Sequence, residues 1–337
     1  MSAASRTRNG VTLVTVTYGD RLKYLTELLD RALGEESVFQ AIVVNNAAIS
    51  DVTRVKAKWG NRVVIVNLDK NTGSANGYAV GIRTALNLDA EYVWLMDDDN
   101  APAKGAVDIL RRELVCLTKE VGIERAAVLG FRKSRMKGLP DLRRNFAPRS
   151  SFVGFHVAQI PNKFLKLLGR PTVDHRVDLQ MIDVPYSPYG GFLAHREAFE
   201  YLGVPKSDLV LYADDWEYTM RLTKSGGKIR LVPHAAIDDL EASWTHSQTQ
   251  SNVFFQSLEF GSDFQAYYTF RNHVWLNRNL QCASVFVYYL NKFVFLFLLS
   301  AFALALRKKQ RFGVIRRAIF DGEQGSLGVN PNFPLPS

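Results

Sequence analysis

The chain has 337 residues, enough for one large or two small domains, and its apolar (47%) and charged (22%) fractions exclude wholesale disorder. The net charge of +9 admits nucleic acid, anionic lipid or phosphorylated substrates, and charge alone does not separate them. Cys116 and Cys282 form no ligand motif and fit a reducing compartment; the N-terminus lacks an apolar signal core, so export is not expected.

The first hundred residues alternate strand and helix signals. Val11–Thr17 is β-branched and predicts a strand; Leu22, Leu25, Leu28, Leu29 and Leu33 then recur at helical spacing. Residues 41–44 and 63–66 predict short strands, 75–86 a helix interrupted by glycine, and 92–96 a fourth strand. This order implies βαβ units, hence an α/β fold with a mainly parallel central sheet. Further on, 105–117 predicts a helix, 126–131 a strand and 132–150 a basic loop; 186–193 is turn-rich, 196–202 and 214–224 predict helices, and the strand at 229–232 is expected to stop at Pro233.

Residues 285–306 are apolar apart from Asn291, Lys292 and Ser300, and their unbroken part is short of the roughly 20 residues a bilayer span requires. Seven aromatics, followed by Arg307, Lys308, Lys309, Arg311, Arg316 and Arg317, suit a helix lying at a membrane surface. A buried core helix, an oligomer contact and a true span stay open.

Three segments carry chemistry. Tyr92-Val-Trp-Leu-Met-Asp-Asp-Asp-Asn100 ends an apolar strand on three acids, which repel unless a cation compensates them. A hard divalent ion such as Mg²⁺ or Mn²⁺ would do so and leave positions for substrate phosphates; a solvated acidic turn is the alternative. Gly73, Gly77 and Gly81 fall four apart after Asn71, suiting either approach to a phosphate or close helix packing. In Tyr212-Ala-Asp-Asp-Trp-Glu-Tyr, Asp214 or Asp215 either caps a helix, with Glu217 completing a capping box, or removes a proton from a sugar hydroxyl. His234, Asp238, Asp239 and His246 are potential ligands after the next strand.

Order and spacing together resemble an inverting glycosyltransferase of family 2 with the A-type glycosyltransferase fold, over roughly residues 10–280. Val93-Trp-Leu-Met-Asp-Asp-Asp99 is similar to that family's D-x-D strand end, and Gly203-Val-Pro with Ala213-Asp-Asp-Trp-Glu-Tyr and Arg221 to its acceptor-side acid motif. Gln265-Ala-Tyr-Tyr-Thr-Phe-Arg-Asn272 resembles a segment of its galactofuranosyl- and rhamnosyltransferase members. The resemblance implies a single Rossmann-like catalytic domain over 1–260 (nucleotide-sugar half 1–131, acceptor half 132–260) and a helical, membrane-associating region over 261–337. It places Thr17, Tyr18, Arg21, Asn45, Asn71 and Gly73 on the nucleotide, Asp98 near the sugar, and Asp97 and Asp99 on Mn²⁺ or Mg²⁺. Asp215, beside Asp214, matches the catalytic base, and Gly190, Gly191 and Phe192 match a segment near the acceptor.

Where members commonly place a metal-binding His, this chain has Asp239, with His246 or Asp238 as substitutes. The implied donor is UDP-galactofuranose, with dTDP-rhamnose second. The implied acceptor is a lipid-linked or growing cell-surface glycan, at the inner face of a bacterial membrane, with no nucleic acid and a possible homo-oligomer. A sugar-phosphate nucleotidyltransferase and a non-catalytic basic binding module are the competing classes; the latter leaves three clustered acids unexplained.

Overall fold

The computed structural model describes residues 10–132, 148–160, 180–241, 253–259 and 261–336. β1 (Val11–Gly19) is buried on both faces, as its unbroken β-branched run requires. It pairs in parallel with β2 (Val38–Ala48) on one side and β4 (Tyr92–Leu95) on the other. Because strand side chains alternate, Val14 and Val16 enter one core with Ile42 and Val44, while Val11 and Leu13 enter a second with Ala41 and Val43.

Five helices cover the two faces: α1 (Leu22–Leu33), α2 (Gly73–Asn87), α3 (Ala106–Val121), α4 (Arg196–Leu202) and α5 (Asp214–Lys224). α1 and α3 bury their leucines in the second core; α2, α4 and α5 fill the first. A Cβ on Gly77 would stand 2.6 Å from Val16 Cγ1, and one on Gly81 2.5 Å from Val14 Cγ1. These two glycines therefore let α2 lie tightly on β1, which settles them as packing positions rather than phosphate contacts.

Among the described residues the sheet runs β3 (Val63–Leu68), β2, β1, β4, β8 (Phe192–His195), β6 (Ala126–Arg132), β9 (Lys228–Asp239) and β5 (Asn100–Pro102), with β7 (Ile182–Val184) also on β9. The first four strands are parallel, and β6 and β9 are parallel to each other. β8 runs antiparallel to both its neighbours, as β5 and β7 do to β9, so the second half of the sheet is mixed. Helical crossovers enforce parallel pairing in the first half; short reversals relax it in the second.

β9 does not stop at Pro233. Its pairing with β6 jumps from Gly130↔Val232 to Phe131↔Ala236, so the proline sits in a bulge where no ladder N–H is needed. Past that bulge β9 reaches β5, setting Asn100 opposite Asp239.

Beyond residue 252, α6 (Val253–Glu259), α7 (Asp263–Leu276), α8 (Val285–Ala305) and α9 (Lys309–Gln324) form a third core. Phe152, Phe155 and Val210 belong to it, so these helices share packing with the acceptor half. α8 runs unbroken for 21 residues, long and apolar enough to cross a membrane by length and composition. Asn291 does not break it, because its Nδ2 donates to Ser150 O and its Oδ1 accepts Val157 N–H. Tyr288, Asn291, Phe295, Leu299 and Ala303 form the buried stripe, while Phe286, Phe293, Phe297 and Leu304 are exposed.

Candidate active site

The ends of β1 and β4 lie side by side, so Thr17 and Arg21 meet the acidic run. Thr17 Oγ1 donates to Asp98 Oδ2 at 2.7 Å and Arg21 Nε to Asp98 Oδ1 at 2.8 Å. Arg21 also reaches Asp99 Oδ2 at 3.3 Å and Glu241 Oε2 at 2.7 Å. Burial pushes the Asp98 carboxyl up to about 7 even though Arg21 and Thr17 pull it down. Tyr18 stays exposed, 5.5 Å from the Arg21 guanidinium.

A second guanidinium works from the opposite side. Arg132, wholly buried at the end of β6, donates from Nη1 to Asp97 Oδ2 at 2.9 Å. Its Nε donates to Asp239 Oδ1 at 2.8 Å, and Nη2 meets the same oxygen. Tyr78 of α2 donates its hydroxyl to Asp97 Oδ1 at 3.1 Å. Asn100 Nδ2 donates to Asp99 Oδ1 at 3.0 Å and to Asp239 Oδ1 at 3.3 Å. Gly190 closes over this cluster: a Cβ there would stand 2.6 Å from Arg132 Nη1 and 2.7 Å from Asp97 Oδ2, so only glycine fits.

The acid pair opens α5. Asp214 is buried and accepts Ser74 Oγ–H on Oδ2 at 3.0 Å, while half-buried Asp215 accepts Trp216 N–H on Oδ1 at 2.8 Å. Neither is the helix cap, because the N-cap is Ala213, and Glu217 pairs with Arg221 at 2.6 Å instead of forming a capping box. Burial drives both carboxyls up; the charge of Asp214 adds to the shift of Asp215, and Asp97 adds to both. The pair behaves as one site that keeps a proton longer than a solvated acid would. Tyr78, bonded to Asp97, packs its ring 4.1 Å from that of Tyr189, which the charges of Asp214 and Asp215 also reach, so the two acid clusters are neighbours.

Donor-side residues divide. Asn71 Oδ1 accepts Gly73 N–H at 3.0 Å, and its Nδ2 donates to Pro336 O at 2.8 Å. Gly73 has φ +83° and lies against Val210 O, an approach no side chain would permit. Asn45 is half-buried, bonded to Asn67 at 2.9 Å and to Ala48 N–H at 2.8 Å. Its neighbour Asn46, not singled out from sequence, ties the loop together: Oδ1 accepts Thr72 N–H at 2.9 Å and Nδ2 donates to Asn71 Oδ1 at 3.0 Å.

Asp238 turns to the other face of β9 and pairs with Arg31 at 2.9 Å, away from Asp239. His246 lies outside the described residues, as does most of the basic loop after Arg132. Arg132, Asn46, Ser74, Tyr78 and Asn100 are the site residues that sequence reasoning missed or saw only as part of a charge run. Asn100, next to the acidic run, was the one such residue whose position gave a signal.

The donor set suits a hard cation. Asp97, Asp98, Asp99 and Asp239 face two guanidiniums, so negative charge exceeds positive even when buried Asp98 holds a proton. All the donors are oxygens, the chemistry of Mg²⁺ and Mn²⁺ sites. Among the described residues no three His, Cys, Asp or Glu side chains are already gathered around one point. The oxygen donors and the charge excess fit a divalent ion, which Asp97 and Asp99, each also touched by a guanidinium, would hold.

Residues 12–115 match the family model described as Glycosyl transferase family 2. Over 148 residues, 44% of this chain, the sequence is 25% identical to the "Uncharacterized glycosyltransferase YwdF" of Bacillus subtilis (strain 168), and the match spans 53% of that relative's length. The fold is similar to that of GalNAc-T7, solved with UDP, GalNAc and Mn²⁺, at a TM-score of 0.53 and 13% identity, covering 80% of this chain and 48% of that one. The family 2 match thus covers only residues 12–115, and the chain as a whole has a fold of the A-type glycosyltransferase kind.

Proposed function

We propose that this protein is a divalent-metal-dependent inverting glycosyltransferase that moves a sugar from a nucleoside diphosphate to a hydroxyl of a glycan acceptor at a membrane surface. The observation that carries the reading is the meeting, in one site, of an oxygen-rich cluster with excess negative charge and the buried acid pair opening α5. Thr17, Arg21, Asn71 and Gly73 bound the donor side, and Asp97 and Asp99 would hold Mn²⁺ or Mg²⁺. Bound there, the ion would act as a Lewis acid on the diphosphate.

Asp215, less buried than Asp214, takes the acceptor hydroxyl's proton. The acceptor oxygen attacks the anomeric carbon, the bond from that carbon to the diphosphate oxygen breaks, and the nucleoside diphosphate leaves with the electron pair. One displacement inverts the configuration, and the proton passes from Asp215 to solvent. Asp214, fixed by Ser74, holds its neighbour's charge and direction.

UDP-galactofuranose is the first-choice donor and dTDP-rhamnose the second, supported by the similarity of the segments ending at Asp99, Tyr218 and Asn272 to family members of those types. A panel of nucleotide sugars, assayed for nucleoside diphosphate release with Mn²⁺ and with chelator, tests the reading. We expect one donor to be turned over only with metal. Pyrophosphate formed from a sugar phosphate and a nucleoside triphosphate would identify a nucleotidyltransferase instead.

The exposed face of α8, with exposed Arg307, Lys309 and Arg316 beyond it, supports docking on the inner face of a bacterial membrane containing anionic lipid. Truncation is a poor test because α8 and α9 belong to the third core. Replacing Phe286, Phe293 and Phe297 together by Ser should weaken binding to anionic vesicles by at least about 100-fold, since that is about 2.7 kcal/mol and full burial of even one Phe is worth about 1.5–3 kcal/mol. Unchanged co-sedimentation would remove the membrane from the proposal.

A further inference from the structure

Three residues within four positions, Val210 (φ 69°), Tyr212 (φ 64°) and Ala213 (φ 61°), adopt left-handed backbone immediately before the acid pair. A β-branched residue at positive φ is an outlier, and such strain persists only where the surroundings over-determine it. The restraint comes from α7. Asn272 is wholly buried, and its Nδ2 donates to Leu209 O at 2.6 Å, Leu211 O at 2.7 Å and Tyr212 O at 3.1 Å. Arg271, also buried, donates from Nε to Asn272 Oδ1 at 2.9 Å and from Nη2 to Leu209 O at 3.2 Å. Its Nη1 donates to Gly328 O at 2.5 Å, and its guanidinium lies 4.7 Å from the Tyr268 ring centre.

The strained segment joins both halves of the site. Val210 O accepts Ala75 N–H at 3.0 Å at the start of α2, and Ser74 reaches forward to Asp214. We propose that Asn272, gripped by Arg271, is a positioning residue: it bends residues 209–212 along a left-handed path and so sets the direction in which Asp214 and Asp215 point. The proposal rests on the reading of Asp215 as the proton acceptor. An amide suits the task because one side chain must offer donors to several carbonyls and an acceptor to Arg271. Its burial leaves no water to take over those bonds.

The test is Asn272→Ala in the full chain, compared with wild type and Asp215→Asn, using whichever nucleotide sugar the donor panel shows to be turned over, with its nucleoside diphosphate in place of UDP where the donor is not UDP-linked. Turnover should fall about 100-fold, the scale expected when a reacting group is displaced by about 1 Å. UDP affinity and donor KM should change much less than turnover, because Asn272 bonds to Leu209, Leu211 and Tyr212 and reaches Gly73 only indirectly, through Val210. The acid limb of the pH–rate profile should move, since the separation and burial of the two carboxyls set their titration. A merely structural residue would lower the amount of folded enzyme and leave the profile where it was.

Should Asn272→Ala fail to fold, Asn272→Ser keeps one hydroxyl donor and should show the same split at smaller size. Unchanged turnover, or UDP affinity falling in step with it, overturns the proposal. If Asp215→Asn is inactive while Asn272→Ala is normal, only this proposal fails. If Asp215→Asn is itself normal, the catalytic reading beneath it fails as well.

Discussion

Asp215→Asn should lose about 10²- to 10⁴-fold in turnover, the contribution of a positioned general base, while binding UDP about as well as wild type. The amide keeps the size of the carboxylate and its acceptor for Trp216 N–H, so the helix start should survive the change. What disappears is the capacity to take a proton. The sign of the pH dependence follows from the same geometry. Burial raises both carboxyls, the charge of Asp214 raises Asp215 further, and Asp97 adds to both, so the pair holds a proton at pH values where a solvated aspartate is bare. Turnover should therefore climb as pH rises through the titration of the pair and level off above it. Steady-state rates between about pH 5 and 9, with UDP affinity measured by calorimetry at each pH, check both statements. Near-normal turnover in Asp215→Asn would remove the residue from its role.

Much of the first half of the fold was legible because local pattern and tertiary structure agree there. β1 is β-branched and doubly buried, α1 has leucines at helical spacing, and both acquire the neighbours that βαβ order demands. α4 and α5 begin and end where periodicity put them. What stayed hidden depends on partners distant in sequence. β5 and β7 have three residues each and exist because β9 offers an edge. Pro233 predicted a stop, yet the strand resumes past a bulge, and only that continuation brings Asp239 opposite Asn100.

The site divides the same way. Three acids at a strand end announce themselves, whereas Arg132 is first in a run of surface-like basic residues and nothing in its neighbourhood marks it as buried. Asn45 and Asn46 are adjacent and chemically identical. Strand alternation alone turns Asn46 inward, and that parity was invisible without the sheet.

Arg132 supplies the other large effect. It is wholly buried between Asp97 and Asp239, so Arg132→Met should leave two carboxylates facing each other without compensation. Removing one partner of a buried pair costs about 3–5 kcal/mol, and the Asp239 side chain, 3% exposed, has little access to water. Urea denaturation at pH 8 in chelator should show a loss of that order. Adding Asp239→Asn to Arg132→Met should return much of it, because the doubly substituted site no longer holds the stranded charge. Mn²⁺ with UDP should also stabilise Arg132→Met more than wild type, since the released carboxylates gain a cation to bind. The single Asp239→Asn variant separates two roles for that residue. As the partner of Arg132, its loss destabilises the protein even in chelator and leaves Mn²⁺ affinity nearly intact. As a third metal ligand, its loss would lower Mn²⁺ affinity and leave the chelated protein as stable as before. The bonds from Arg132 Nε and Nη2 onto one Asp239 oxygen favour the first outcome.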